Sequence, residues 1–497
     1  MKTIKYIFLA VVLIGFTACN DDEYDYNPTP EPLPALTKGT ADFTNYVAVG
    51  ASFTAGYTDS ALFIAAQQNS FPNILAQQFG SANFTQPLMN DNIGGLLFGG
   101  NAITSTRLYF NGSGPALLPG SPTTETTNVL SGSFSNMGVP GAKSFHFVAP
   151  GYGNLAGVPV GAANPYFARM ASSSSASIIG DAVAQNPTFF TLSEIGGNDV
   201  LGYATSGGVG VDQTGNLNPL TYGGNDITDP TVFAQVFTSQ VAALTANGAK
   251  GAVANVPYIT SLAHFTTVPY NPVPLDAATA AALNQGYALY NGGLQQAFAA
   301  LNGTGLFTAE EVAKRTISFT AGEGNALVII DETLTDLGAI NPAFAAIPKY
   351  RQATAEDLFV LPLSALIPQG YGTQIPLEDK WVLLPSEQLA IKTATDAYNA
   401  TIANVAATNN LAIVDFKGIL DEAASTGVSD GDFTLTTALV SGGLISLDGV
   451  HLTARGYAVM ANKFLEAIDA TYGSNFIAAG VKANVGDYPT NYSPTLQ

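Results

Sequence analysis

The fold is organised around the stretch Asn45-Tyr-Val-Ala-Val-Gly-Ala-Ser-Phe-Thr-Ala-Gly-Tyr57, which predicts a buried strand running straight into a tight turn. Tyr46 to Val49 is a short apolar run of β-forming residues, and glycines stand on both sides of Ser52. A serine after a first strand and before a helix would lie at the sheet edge, where developing negative charge is favoured. Taken alone, the stretch is equally compatible with a plain glycine-serine turn.

Helix and strand patterns alternate along the rest of the chain. Helices are predicted over 70–79, 229–248, 276–301, 386–407 and 453–472, and strands over 187–195, 250–257, 326–330 and 411–416. Such alternation is typical of parallel strands joined by crossover helices. The sequence therefore predicts an α/β fold with a parallel sheet.

The amino end has the pattern of an export signal. Lys2 and Lys5 precede an apolar run of about ten residues, which is shorter than the ~20 residues that span a bilayer. The run leads into Phe16-Thr-Ala-Cys19, which holds the only cysteine of the chain. This pattern resembles a bacterial lipoprotein signal and predicts that Cys19 becomes the lipidated first residue. An ordinary signal peptide or a buried free thiol is the alternative.

The segment 20–40 is acidic and then rich in proline, which is typical of an extended tether. Acidic residues directly behind such a cysteine resemble the export signals of some Gram-negative surface lipoproteins. We therefore expect a secreted lipoprotein anchored to the outer membrane through its lipid, with display on the cell surface as one option.

The composition and net charge limit the classes of partner that the protein is expected to bind. Of the 497 residues, 47% are hydrophobic and 11% charged, so the chain can bury a large core. The formal net charge of −20 argues against binding to nucleic acid, which requires basic patches.

A second set of residues can be combined with Ser52. Serine is a poor nucleophile until a base takes its proton, and histidine is the usual base near neutrality. Asp448-Gly-Val-His451 offers a histidine and the carboxylate that orients it from one loop. The oxyanion of acyl transfer needs preset N–H donors, for which the Asn198 side chain and the amides of Gly141 and Ser52 are candidates.

These residues lie in four blocks that resemble, in the same order, those of the GDSL or SGNH hydrolase family. The blocks are 50–56, 136–142, 196–199 and 448–453. The first block departs from the family pattern, since Ala51 and Phe53 replace its Asp and Leu, which leaves open how the turn is hydrogen-bonded. The alternative α/β-hydrolase elbow, Gly-x-Ser-x-Gly, is disfavoured because Thr54 stands at the closing glycine position and acid and base share a loop.

The resemblance implies a flavodoxin-like, three-layer α/β/α sandwich and an esterase or lipase that works through an acyl-enzyme. Ser52 would be the nucleophile, His451 the base and Asp448 its orienting acid, and Ser52, Gly141 and Asn198 would form the oxyanion hole. The ester could be a lipid, a short acyl ester or an O-acetylated glycan. The alternative function is a non-catalytic, glycan-binding surface lipoprotein on the same fold.

The predicted organisation is a signal peptide over 1–19, the tether over 20–40, a hydrolase domain over 41–475 and a tail over 476–497. Two long insertions, 81–135 and 258–384, are expected to border the site. No cofactor and no metal is expected, because neither His146 nor His264 lies in a cluster with metal-ligand spacing.

Overall fold

Five parallel strands form the central sheet in a computed structural model that describes residues 32–301 and 303–497. They are β1 (Tyr46–Gly50), β2 (Asn136–Gly138), β3 (Phe189–Ser193), β4 (Lys250–Ala254) and β5 (Ala412–Val414). Their order across the sheet is β2-β1-β3-β4-β5. This is the order of flavodoxin-like sheets, in which ligands bind outside the carboxyl ends of the strands near β1 and β3.

The sheet is flanked by helices. They are α1 (Ser52–Ala55), α2 (Phe71–Phe79), α3 (Ile178–Val183), α4 (Asn198–Thr205), α5 (Pro230–Thr245), α6 (Pro385–Thr408), α7 (Phe416–Ser425) and α8 (Ala454–Tyr472). The rings of Phe71 and Phe464 stack at 5.0 Å between α2 and α8, and those of Phe233 and Tyr398 stack at 4.3 Å between α5 and α6. The predicted α/β fold with a parallel sheet is confirmed.

The strands are buried because helices cover them. Every residue of β1 and β3 is buried, and both strands are continuous apolar runs broken only by small or hydroxyl residues. Such runs are typical of parallel strands with both faces covered. The helix caps follow the sequence signals: Asp229 accepts hydrogen bonds from the first turn of α5, and Thr453 accepts one from Gly456 in α8.

The remaining elements are short or lie in the insertions. The α-helices are Ile64–Gln68, Pro165–Ala168, Ala263–Thr266, Ala277–Gly286, Ala288–Leu301, Ala309–Arg315 and Leu337–Ile340. The 3₁₀ turns are Ser144–Phe147, Leu155–Val160, Pro219–Thr221, Ile259–Ser261, Pro342–Phe344, Leu361–Ala365, Ile367–Gln369, Asp379–Trp381 and Val485–Asp487. Antiparallel pairs join Leu97–Phe98 to Asn101–Ala102, Leu108–Phe110 to Pro115–Leu117, Val273–Leu275 to Gly322–Asn325, Val328–Ile330 to Tyr350–Gln352, Leu358–Phe359 to Val382–Leu383, and Val428–Asp430 to Phe433–Leu435.

Three local predictions differ from the structure. The strand expected over 326–330 is Val328–Ile330, and it pairs within the second insertion instead of joining the central sheet. The helix expected over 276–301 is interrupted at Tyr287, directly after Gly286. The edge strand β2 is absent from the predicted strands, because its three residues carry too little apolar pattern to predict a strand.

The second insertion, 258–384, has apolar clusters of its own. One contains Leu327, Phe359 and Leu377, all fully buried. In the same insertion, the buried guanidinium of Arg351 pairs with Asp331 at 2.5 Å and with Asp357 at 2.6 Å. The insertion is therefore a folded part of the molecule.

The two ends of the chain differ in what the structure describes. The predicted signal peptide with Cys19 and residues 20–31 of the tether lie outside the described residues. The segment 476–497 packs on the domain: Phe476 is buried, and the Arg107 guanidinium donates to the carbonyls of Ser493 and Leu496. Among the helices described, none combines the length and apolarity needed to cross a membrane.

Candidate active site

Ser52 is the first residue of α1, and Ala51 alone separates it from the end of β1. Gly56 ends α1 with a φ of 83°, a left-handed conformation that favours glycine. Position 138 in β2 requires glycine for steric reasons, because a Cβ there would lie 2.2 Å from the amide nitrogen of Ala55. The missing side chain lets β2 pack closely against the short helix that presents Ser52.

The Ser52 hydroxyl contacts a histidine that is 399 residues away in the sequence. Its Oγ lies 3.0 Å from Nε2 of His451, and Nδ1 of the same ring lies 2.9 Å from Oδ2 of Asp448. An ionised carboxylate only accepts hydrogen bonds, so Nδ1 carries the ring proton and Nε2 is free to accept from the hydroxyl. The three predicted residues form one hydrogen-bonded chain.

The Asp448 carboxylate is held by several donors at once. Oδ1 accepts from the amides of Val450 and His451 at 2.8 Å each and from Ser446 Oγ at 3.0 Å, while Oδ2 also accepts from the Ser60 amide at 2.8 Å. Burial raises the pKa of Asp448, but the charge and hydrogen bonds of His451 and the Val450 amide outweigh it and hold that pKa well below its ordinary value of 3.8. The side chain is therefore ionised at neutral pH and can stabilise an imidazolium.

The two other predicted oxyanion donors border the same site. Asn198 begins α4, and its Nδ2 donates to the carbonyl of Ala142 at 2.9 Å, which fixes the side chain and leaves its second hydrogen for a ligand. Gly141 has a φ of 79° with open space beside its Cα. Asn198 and His451 border two cavities, one shared with Ser52 and the other with Gly141. The structure therefore gathers all five predicted residues around one place.

Sequence analysis missed Glu194. Its Oε1 accepts from the Thr54 amide at 2.8 Å and its Oε2 from the Thr54 hydroxyl at 3.2 Å, so it caps the helix that begins at Ser52. Burial raises the pKa of Glu194 to about 7, although hydrogen bonds from Ser193, Thr54 and Ala51 act in the opposite direction. The residue has a φ of 49°, which is uncommon outside glycine.

Glu194 also supplies hydrogen-bond acceptors for the turn that presents Ser52. This turn has alanine at position 51, where the family pattern has aspartate. The sequence signal for Glu194 is the position of an acidic residue at the carboxyl end of the apolar run 187–195. A charged residue is not expected in a strand that is buried on both faces. Only the fold shows that its partner is Thr54.

The two cavities at the site differ in character. The first is lined almost wholly by aliphatic and aromatic side chains and has a volume of about 100 Å³. The second is more polar and is bordered by Tyr57, Lys143 and His264 as well as by residues of the site. The Ser52–His451 pair thus stands between an apolar and a polar space.

Neither of the other histidines contacts Ser52. His146 accepts a hydrogen bond from the Lys143 amide at 3.0 Å and stacks on Tyr152 at 4.2 Å, and burial, followed by the charge of Lys143, lowers its pKa to about 4. The His264 amide donates to Gly449 O at 2.9 Å, and burial lowers the pKa of its ring. His264 thus connects the second insertion to the loop that carries the candidate base.

In the part of the chain that the structure describes, one group of carboxylates could hold a metal ion. Oxygens of Glu332, Asp379 and Glu387 lie within 4.8 Å of one another beside Tyr203, in a cavity other than the two described above. Burial and the neighbouring acids raise the pKa of Glu387 to about 8, so protons offset part of the negative charge. None of these residues was predicted as a site residue.

The chemistry that these atoms allow is acyl transfer. A hydroxyl can pass its proton to an imidazole, a carboxylate can stabilise the resulting imidazolium, and amide donors stand nearby for an oxyanion. No protein-family model, no curated protein and no solved structure matches the chain.

Proposed function

We propose that the protein is a serine hydrolase of carboxylic esters. The observation that carries the proposal is the chain of contacts from Ser52 Oγ to His451 Nε2 at 3.0 Å and from His451 Nδ1 to Asp448 Oδ2 at 2.9 Å. The hydroxyl lies at the carboxyl edge of the sheet and borders an apolar cavity.

The reaction would run in two halves. Ser52 Oγ attacks the ester carbonyl while His451 Nε2 takes its proton, and Asp448 stabilises the imidazolium. The oxyanion accepts from the Ser52 amide, the Gly141 amide and the Asn198 side chain. His451 then gives the proton to the leaving alcohol, and a water activated by the same ring releases the acid from the acyl-enzyme.

The same proposal places the chain in the GDSL or SGNH family, with a three-layer α/β/α sandwich. Four sequence blocks in family order support it, and so does the strand order β2-β1-β3-β4-β5, which flavodoxin-like sheets share. The departures from the family pattern at Ala51 and Phe53 leave the three proposed triad residues in place, and the Phe53 ring lies edge-on to the His451 ring with the centroids 5.7 Å apart.

A fluorophosphonate probe tests the proposal directly, because it reacts only with an activated serine. We expect the purified protein to be labelled at Ser52 and to hydrolyse a p-nitrophenyl ester, and Ser52→Ala to lose both properties. Ser174→Ala, at an exposed serine, is the matched control and should keep both. Asn198→Ala should lower kcat by ~10²–10³, the usual effect of removing one oxyanion donor.

Two outcomes would contradict the proposal. Hydrolysis retained by the Ser52→Ala variant would mean that another group is the nucleophile. A folded wild-type protein that is neither labelled nor active would favour the alternative function, a glycan-binding protein on a hydrolase fold.

We also propose that the protein is an outer-membrane lipoprotein attached through Cys19. The proposal rests on the amino-terminal sequence alone. Cells grown with a clickable palmitate analogue should label the wild-type protein but not a Cys19→Ser variant, and protease treatment of intact cells should show whether the domain faces outward. Labelling of Cys19→Ser would refute the anchor.

A further inference from the structure

We infer that the apolar cavity beside Ser52 is an acyl-chain site, and that the substrates are esters of fatty acids with a polar alcohol. This inference rests on the proposed function, because the cavity can serve as an acyl site only if Ser52, which borders it, is the nucleophile. A short acyl group such as acetyl would leave most of the apolar lining of this cavity uncovered.

The walls of the cavity are apolar along two helices. Phe416, Ile419 and Leu420 of α7 line it, and so do Val459 and Met460 of α8. In α7 the spacing is i, i+3, i+4, and in α8 Gly456 precedes the pair with the same spacing, so each helix turns one face towards the cavity. A Cβ at Gly456 would lie 2.5 Å from the carbonyl oxygen of Leu444, so the missing side chain lets the segment of Leu444 pack closely against α8.

Segments between the secondary-structure elements complete the wall. They contribute Ile259 and Leu262 after β4, and Leu444 and Ile445 before the loop of Asp448. A sugar placed here would leave its hydroxyl groups without partners, and unpaired buried polar groups disfavour binding. A hydrocarbon chain needs no partner and gains from leaving water.

Polar groups of the lining lie where the reaction would occur. Ser52, Asn198 and His451 border the cavity, and Glu194 is the only carboxylate among its lining residues. The hydrogen bonds of Glu194 run to Thr54 in the turn of the nucleophile, so its oxygens are engaged by the protein. An ester carbonyl at Ser52 thus places a hydrocarbon tail into an apolar space.

The second cavity suits the alcohol part of the ester. It meets the site at His451 and Asn198, and its border includes Lys143, whose Nζ donates to the carbonyl of Asp226 at 2.6 Å. A leaving alcohol on this side would be near His451, which must return the proton to it. Because one cavity is apolar and the other is more polar, the acyl chain and the alcohol of the ester would occupy different cavities. This fixes the orientation of the substrate.

The test is the chain-length dependence of kcat/KM for p-nitrophenyl esters from acetate to laurate, below their aggregation limits. We expect kcat/KM to rise about fourfold for each added methylene until the cavity is filled, the factor that corresponds to ~0.8 kcal/mol per buried CH₂. The octanoate, with six more methylenes, should therefore exceed the acetate by up to ~4 × 10³.

A variant links the preference to the cavity. Ile419→Trp fills part of the space from a partly buried position, and we expect it to lower the octanoate-to-acetate ratio of kcat/KM at least tenfold. Leu389→Trp, on the exposed side of α6, is the control and should keep the wild-type ratio. If Ile419→Trp does not fold, decanoate should still raise the melting temperature of Ser52→Ala but not that of a Ser52→Ala, Leu420→Glu double variant.

The outcomes separate this inference from the proposed function. A labelled, active enzyme that prefers acetate to octanoate overturns the acyl site and leaves the hydrolase standing. A protein that hydrolyses no ester of the series and escapes the fluorophosphonate overturns both. A rising profile that Ile419→Trp flattens and Leu389→Trp does not supports the fatty-acyl substrate.

Discussion

Removing the carboxylate of Glu194 should slow the proposed hydrolysis although Glu194 is not a member of the proposed triad. The Thr54 amide, which donates to Glu194 Oε1 at 2.8 Å, belongs to the first turn of the helix that starts at Ser52. Glu194→Ala leaves this N–H without its partner, and an unpaired buried donor costs about 1–3 kcal/mol. We expect a loss of stability of this size.

The effect on catalysis follows from geometry. The Ser52 Oγ to His451 Nε2 distance of 3.0 Å leaves little room for movement of the turn, and a misplacement of about 1 Å can lower a rate ~10²-fold. Glu194→Ala should therefore lower kcat ~10²-fold with a smaller change in KM. Glu194→Gln, which keeps one carbonyl oxygen for the Thr54 amide, should lie between this variant and the wild type.

Steady-state kinetics on one p-nitrophenyl ester, the rate of fluorophosphonate labelling and urea denaturation measure these effects together. Glu356→Ala removes an exposed carboxylate in the second insertion and serves as the control. If Glu194→Ala is destabilised but its kcat and labelling rate stay within about twofold of wild type, Glu194 supports the fold only, and its role in positioning Ser52 is refuted.

Stability against pH gives a second readout for Glu194. Burial raises the pKa of this carboxyl from an ordinary value of 4.5 to about 7, so folding favours its protonated form. Its contribution to stability is complete below pH 4.5 and is lost as the pH rises through about 7. The wild type should therefore lose stability relative to Glu194→Gln between these values, and a constant difference would contradict the raised pKa.

Two further variants test the site and the fold. Asp448→Asn should keep the fold, checked by circular dichroism, but lower kcat by ~10⁴, because an amide at this position no longer holds the histidine in the tautomer that accepts the serine proton; a fall of less than tenfold would argue against the triad. Gly138→Ala would bring a Cβ to 2.2 Å from the Ala55 nitrogen, so we expect ~1–3 kcal/mol or more of destabilisation in urea denaturation, and an unchanged unfolding midpoint would contradict the close packing of β2 on α1.

Much of the fold could be predicted because its signals are local. The helices α5 and α8 carry their caps, Asp229 and Thr453, in the sequence, and both begin directly after them. The strand β2 could not be predicted, because three residues show no period and its pairing with β1 depends on the approach of Gly138 to α1. Tertiary packing decides such short elements.

The residues of the candidate site also differ in whether the sequence alone could indicate them. Ser52, Asp448 and His451 could be singled out because each residue type suits one task in acyl transfer, and the structure places them in contact. Glu194 could not, because its task depends on a hydrogen bond to Thr54 across 140 residues of sequence. The lining of the apolar cavity comes from segments between residues 52 and 460, and no single one of them shows a pattern that indicates a pocket.

The contact of His264 with the loop of the candidate base ties the start of the second insertion to the candidate site. The His264 amide donates to Gly449, and the neighbours Leu262 and Phe265 are buried in the core of the central sheet. The other apolar clusters of the insertion are separate from that core. If those clusters open first on heating, His264 stays with the sheet and the loop keeps its anchor. Inactivation would then coincide with melting of the sheet, and the central core would set the working temperature of the proposed hydrolase.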